Sequence, residues 1–161
     1  MTREHFIDLI RVEQVSLRRF LLALCAGNGT EADDIAQESL IRAYVASGSF
    51  LGLSSFRTWL FRIAYNCFID FRRRRKWESV SVEKQEVTSI PALETADASF
   101  RYQKLYQALD RLPEQERAAV ALHYFEDRSI KEIAAILQMP SVTVKYHLFS
   151  ARNHLKTIIG L

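Results

Sequence analysis

Apolar residues along this 161-residue chain recur with the three-and-four spacing of helices nearly everywhere except one stretch past the middle. Phe6, Leu9, Ile10, Leu17, Phe20, Leu21 and Leu24 form a stripe that stops at the break Gly27, Asn28, Gly29. Thr30 followed by Glu31, Ala32 and Asp33 predicts an N-cap with an acidic first turn, opening a helix over 30–46. Residues 47–55, with two glycines, predict a loop. A long helix then starts at Phe56, with Phe56, Leu60, Ile63, Cys67 and Phe71 on one face. Further helices are expected over 99–112, 113–125, 129–137 and 141–159. Five Gly and three Pro are too few for the many turns of an all-β fold. The expected architecture is all-α: two small helical domains, 1–76 and 99–161, joined by a linker over 77–98.

The linker, WESVSVEKQEVTSIPALETADA, shows neither the helical nor the strand period and contains Pro91. Charge sharpens this division. The chain carries a formal +3, a weak hint of a polyanionic partner. Residues 1–76 hold 12 basic and 8 acidic side chains (+4), 77–98 one and five (−4), and 99–161 nine and six (+3). Two basic modules therefore flank an acidic tether. The charged start, MTREHFIDLI, lacks the apolar core of a signal peptide, and no apolar stretch approaches the roughly 20 residues of a membrane span. Cys25 and Cys67 cannot build a disulfide framework and lack zinc-site spacing, so two reduced core thiols in a cytoplasmic protein are expected.

In the second module, Ile130, Ile133, Ala134 and Leu137 make a short apolar face. Ser141 then sits where it can cap a helix whose stripe is Val144, Leu148, Ala151, Leu155 and Ile158. So short a connection between two amphipathic helices predicts a helix-turn-helix. Projection at 100° per residue puts Tyr146 and Asn153 opposite the core stripe. Val142, Thr143, Phe149 and Ser150 share that outer half, flanked by Lys145, Arg152 and Lys156. Such a face suits the major groove, with cations on phosphates and polar or aromatic tips at base edges. A plain helical hairpin with a solvated face would show the same periodicity, and outward aromatics also mark protein interfaces.

In the first module, Asp34, Gln37, Glu38 and Ile41 share a mostly acidic helix face, which is either solvated surface or a docking site for a basic partner. On the helix from Phe56, Arg62, Asn66, Ile69 and Arg73 share a face, with Tyr65 beside them and five cations over 72–76. Cations there suit a nucleic-acid backbone, and Trp59 and Tyr65 suit stacking on exposed bases. Asn66 offers both a donor and an acceptor to one base edge. The bland reading makes Trp59 core and the cations a solvated terminus favoured by the helix dipole. Five adjacent cations repel one another unless an anion is near.

Nothing points to catalysis. His5, His123, His147 and His154 form no metal motif, and there is no GxGxxG, P-loop or nucleophile elbow. No enzyme activity, metal, cofactor or small-molecule substrate is expected.

EADDIAQESLIRAY (31–44), FRTWLFRIAYNCFIDFRRRRK (56–76) and LPEQERAAVALHYFEDRSIKEIAAILQMPSVTVKYHLFSARNHL (112–155) together resemble the extracytoplasmic-function sigma factors, the sigma-70-family promoter-specificity subunits of bacterial RNA polymerase. The resemblance implies that 1–76 is region 2 and 99–161 region 4, together binding core polymerase and directing promoter-specific initiation. It assigns Asp34, Gln37 and Glu38 to the coiled coil of the polymerase β′ subunit, with the β subunit as a further core contact. It assigns Phe56, Trp59, Arg62, Tyr65, Asn66 and Arg73 to the melted −10 element, Asn66 at a flipped-out base. Ser141, Thr143, Lys145, Tyr146, Phe149 and Arg152 are assigned to −35 duplex DNA. An anti-sigma factor, often membrane-bound in such systems, is implied as a partner. Gln138 and Val142 replace glycines frequent in the family, and a Gln with positive φ costs roughly 1 kcal/mol. The competing reading is a stand-alone helix-turn-helix regulator, for which no dimerisation seam is found. An adaptor that never touches DNA would leave the basic segments unexplained.

Overall fold

The computed structural model describes residues 1–78 and 96–160, and among the described residues every regular element is helical. Helix α1 (Arg3–Leu24) begins at Thr2, whose hydroxyl accepts from the His5 N–H at 3.2 Å. The chain reverses through Ala26 and Gly27, both left-handed (φ 51° and 88°), and enters α2 (Gly29–Ala46). The cap of α2 is Asn28 and not Thr30: the Asn28 side-chain oxygen accepts from the Glu31 N–H at 3.1 Å. Asn28 is extended, as an N-cap must be, whereas Thr30 already lies inside the helix.

A 3-10 turn (Ser47–Ser49) and an open loop lead to α3 (Phe56–Glu78), where Ser55 Oγ accepts from the Thr58 N–H at 3.1 Å. The first three helices close over Leu17, Phe20, Leu21, Leu24, Ile35, Leu60, Phe61 and Phe68, all essentially buried. At the centre the rings of Phe20 and Phe61 stack with centroids 5.3 Å apart.

The second module comprises α4 (Ala96–Asp110), α5 (Glu114–Val120), α6 (Ile130–Leu137) and α7 (Ser141–Ile159). The predicted helix over 113–125 is not uniform. After Val120 it widens into a π-helical turn (Ala121–Phe125), closed by the Glu126 N–H on the Ala121 carbonyl at 3.1 Å. Helix α6 carries a full capping box between Ser129 and Glu132. Pro140 occupies the N-cap position of α7, so Ser141 is its first residue and not its cap.

Helices also reach into both ends of the expected linker. Trp77 and Glu78 complete α3, and residues 96–98 open α4. The last turns of α3 are held because Arg72 and Arg75 meet Glu31 on α2, at 2.8 and 3.2 Å. Pro91 and most of the acidic stretch lie outside the described residues.

The two modules share one continuous core. Helix α3 packs on α6, and α1 packs on α5 and the π-helical turn. At this junction Tyr106 of α4 lies on Gly27, where a Cβ would stand 2.8 Å from the Tyr106 Cδ2.

Candidate nucleic-acid and protein interfaces

Helix α7 divides cleanly. Val144, Leu148 and Ala151 are buried, while Ser141, Val142, Lys145, Tyr146, Phe149, Arg152 and Asn153 are exposed. Tyr146 and Phe149 keep 64% and 62% of their surface in solvent, and Thr143 is half-buried at the edge. Ser150 departs from the projected outer half: its hydroxyl turns inward and donates to Glu116 Oε1 at 2.7 Å. His154 Nδ1 stands 2.7 Å from the other Glu116 oxygen, so this histidine is tied within the module.

The turn before α7 contains Gln138 in the left-handed conformation (φ 55°, ψ 53°). Its N–H and that of Met139 both reach the Ala134 carbonyl, the bonding of a glycine-type helix stop. The left-handed turn for which the resemblance implies Gly is therefore built here with Gln. Val142, the other replacement, is 76% exposed in the first turn of α7 and strains nothing.

Helix α3 is a different case. Asn66 and Arg73 are exposed, but Arg62 is half-buried and its Nε donates to the carbonyl of Ala135 on α6 at 3.0 Å. Tyr65 is only 6% exposed; its ring packs beside Phe68 and is unavailable for stacking in this arrangement. Burial raises the pKa of the Tyr65 hydroxyl, and the charge of Glu114 on α5 raises it further. Phe56 and Trp59 are half-buried in an aromatic cluster with Phe50, with centroid separations of 5.1 to 5.9 Å. Next to that cluster the loop exposes Leu51 and Leu53. The five-cation run finds its anion inside the protein: Glu31, itself buried, takes Arg72 and Arg75, leaving Arg73, Arg74 and Lys76 toward solvent.

On α2, Asp34, Gln37 and Ile41 are exposed, and Glu38 is half-buried against Arg42 at 3.1 Å. Arg42 in turn bonds Asp70 of α3 at 3.0 Å. The acidic face is thus firmly mounted and open. Cys25 and Cys67 are both buried free thiols, raised in pKa first by burial. Among the described residues no helix is long and apolar enough to cross a membrane, and no cluster of His, Cys, Asp and Glu has metal-binding geometry.

Several residues escape a motif-based reading. Tyr124, on the π-helical turn, accepts from Arg152 Nε at 2.7 Å, and the guanidinium lies 5.8 Å from its ring centre. Arg117 is buried and donates to four carbonyls, those of Leu24, Leu109, Leu112 and Asp110, at 2.6 to 3.4 Å. Burial lowers its pKa from the ordinary arginine value. Arg19 grips the buried carboxylate of Glu126 with two bonds, 2.6 and 2.8 Å. A charged residue within an apolar stripe, as Arg117 is within ERAAVAL, was the available signal.

Comparison with known proteins shows the family. Residues 9–78 match the family model of sigma-70 region 2, and residues 102–155 that of sigma-70 region 4. The chain is 37% identical over 135 residues to the RNA polymerase sigma-H factor of Pseudomonas aeruginosa, covering 76% of this chain and 70% of that one. It is 32% identical over 166 residues to the ECF RNA polymerase sigma factor SigW of Bacillus subtilis, covering 96% and 88%. Among solved structures, the sigma factor RpoE of Bartonella quintana, in complex with the anti-sigma factor NepR, superposes with a TM-score of 0.83 at 27% identity over 98% of each chain. An operator-binding regulator would not carry the region 2 match. The chain therefore belongs to the sigma-70 family and is an extracytoplasmic-function sigma factor, a protein of transcription initiation.

Proposed function

We propose that this sigma factor works in the cytoplasm and brings core RNA polymerase to promoters through three faces. Asp34, Gln37 and Glu38 of α2 meet the β′ coiled coil, and region 4 meets the β subunit. Asn66, Arg73 and Arg62 of α3, backed by Phe56, Trp59 and Tyr65, hold the melted −10 strand. Lys145, Tyr146, Phe149 and Arg152 of α7, with Ser141 and Thr143 at its start, read the −35 duplex. Region 2 ends with α3 and region 4 begins with α4. The observation that carries this reading is α7, whose exposed residues form one cationic and aromatic row over a buried stripe.

No catalysis by this chain is needed. Unpairing a few base pairs costs several kcal/mol, and a flipped base recaptured by stacking and hydrogen bonds returns part of that cost. Two modest readers on one polymerase gain effective concentration from the tether, so neither must bind tightly alone. The solved relative in complex with an anti-sigma factor supports a protein inhibitor as a further partner.

Reconstituted transcription with core polymerase and a promoter library tests the proposal. Promoter-directed initiation is expected, and Asp34→Lys with Glu38→Lys should abolish it. Asn66→Ala should impair opening at the −10 element while core binding persists. Equal loss of core binding and opening in Asn66→Ala would remove that residue from the strand-binding face.

A further inference from the structure

Tyr124 stands outside the recognition helix α7 yet holds one of its cations. Its hydroxyl accepts from Arg152 Nε at 2.7 Å, and the guanidinium lies 5.8 Å from its ring centre. Tyr124 belongs to the π-helical turn Ala121–Phe125, in which Ala121 and Leu122 are buried while Tyr124 is 53% exposed. The ring is fixed in turn: it meets the His123 ring edge to face at 4.8 Å, and His123 Nδ1 lies 3.3 Å from the Arg128 carbonyl. Both partners of the Tyr124–Arg152 bond are exposed, so the bond adds little to stability. What it does is set the direction of Arg152.

An arginine has five N–H donors, and the bond to Tyr124 uses the one on Nε. Among the described residues the two terminal nitrogens of Arg152 make no hydrogen bond or ion pair. They keep the end-on fork that matches two oxygens of one phosphate. The place of Arg152 along α7 says which part of a duplex that fork meets. Arg152 lies about 16 Å along the axis from Ser141, the first residue of the helix. The major groove is about 12 Å wide, and a recognition helix brings its N-terminal residues to the base edges. A side chain as far along as Arg152 has passed the bases and meets the backbone. We propose that Tyr124 is a positioning residue for −35 recognition: it orders Arg152 as a two-pronged clamp on one backbone phosphate and so fixes how α7 sits in the major groove. An exposed arginine must otherwise be ordered when DNA binds, and a partner that orders it beforehand removes part of that cost. Lysine could not take its place, because a single ammonium nitrogen offers no separate fork. The proposal rests on the assignment of α7 to −35 duplex.

The test uses holoenzyme reconstituted with core polymerase and a fluorescent duplex. The duplex carries the −35 element of a promoter that the parent opens from the library, and it stops short of the −10 element. Tyr124→Phe keeps the ring and the charge of Arg152 but removes the acceptor. It is expected to weaken binding about fivefold. The slope of log affinity against log salt should stay unchanged, since the same phosphate is still met. Arg152→Ala should weaken binding about tenfold and lower that slope by about one. In an Arg152→Ala background, Tyr124→Phe should cost nothing further. Parent affinity in Tyr124→Phe overturns the proposal. So does a loss that persists in the Arg152→Ala background, because Tyr124 would then not act through Arg152. Lys145→Ala and Tyr146→Ala separate the proposal from the reading beneath it. If they weaken binding while Arg152→Ala does not, the clamp fails and α7 keeps the duplex. If none of the three weakens binding, α7 does not read the −35 element and the clamp falls with it.

Discussion

The two helices proposed to touch DNA are presented in opposite ways. On α7 the outward row of Lys145, Tyr146, Phe149 and Arg152 is exposed, and Tyr124 positions Arg152 from within region 4. On α3 only Asn66 and Arg73 are open, whereas Tyr65 is covered and Arg62 is engaged across the junction. The face proposed for duplex is open, and the face proposed for the separated strand is partly covered. That order suits their tasks, since duplex is present from the first encounter and a separated strand appears only later.

The largest expected effect compares one tyrosine from each face. Tyr65→Ala should destabilise the protein by about 3 kcal/mol, the cost of emptying a buried aromatic site. Tyr146→Ala should fall within about 0.5 kcal/mol, as exposed substitutions do, while weakening −35 duplex binding. Urea unfolding of the two variants decides the matter. A small loss at Tyr65 would break the contrast by showing that its ring is free.

Next in size is the junction itself. Gly27 has φ +88°, and a Cβ there meets Tyr106 ring carbons at 2.8 and 2.9 Å. Gly27→Ala should cost about 2 kcal/mol from backbone strain and the clash together. In a Tyr106→Ala background only the backbone part, about 1 kcal/mol, should remain. A double-mutant cycle by urea unfolding measures the difference, and an unchanged cost would mean that Tyr106 does not rest on Gly27.

Gln138 sharpens the α7 side. Gln138→Gly should gain about 0.5–1 kcal/mol, because the turn already requires the left-handed conformation that Gln adopts at a cost. Thermal unfolding reads the gain, and −35 binding should be unchanged because the turn geometry is kept.

Helix positions and the exposed row of α7 were legible in the sequence because both follow from a single period. Tyr65 was not. It sits at the margin of the α3 polar face, and whether such a residue is covered depends on another domain docking there. Nor was the division of the cation run legible: Arg72 and Arg75 find an anion in Glu31 of α2, while Arg73, Arg74 and Lys76 stay exposed. Asn28 and Thr30 are both good caps, and the choice went to the residue at which the reversing chain is still extended. Ser150 was assigned by phase to the outside, but a buried acceptor on α5, Glu116, drew its hydroxyl inward.

The smallest effect concerns α6, the element that touches both faces: its last turn receives Arg62 and its end leads into α7. Its first turn is held by Glu132, which accepts from the Ser129 N–H at 3.2 Å and from Arg128 Nη1 at 3.0 Å. Burial opposes ionisation of Glu132, but the bonds from Ser129 and the charge of Arg128 outweigh it, and its carboxyl is held below the ordinary carboxylate value. A depressed folded-state pKa contributes stability above the unfolded-state value and loses it as pH falls through the folded-state value. Glu132→Gln keeps the capping box while removing the charge, so at neutral pH it should cost only a few tenths of a kcal/mol. The gap between Glu and Gln should close on acidification below the carboxylate range. Thermal unfolding of both forms across that range checks the sign: a gap that widens toward acid would mean that burial, and not Ser129 and Arg128, governs this carboxyl. If the gap closes as expected, Arg62 and α7 share a helix whose first turn is secured by charge at neutral pH, and only acid below the carboxylate range should weaken that turn.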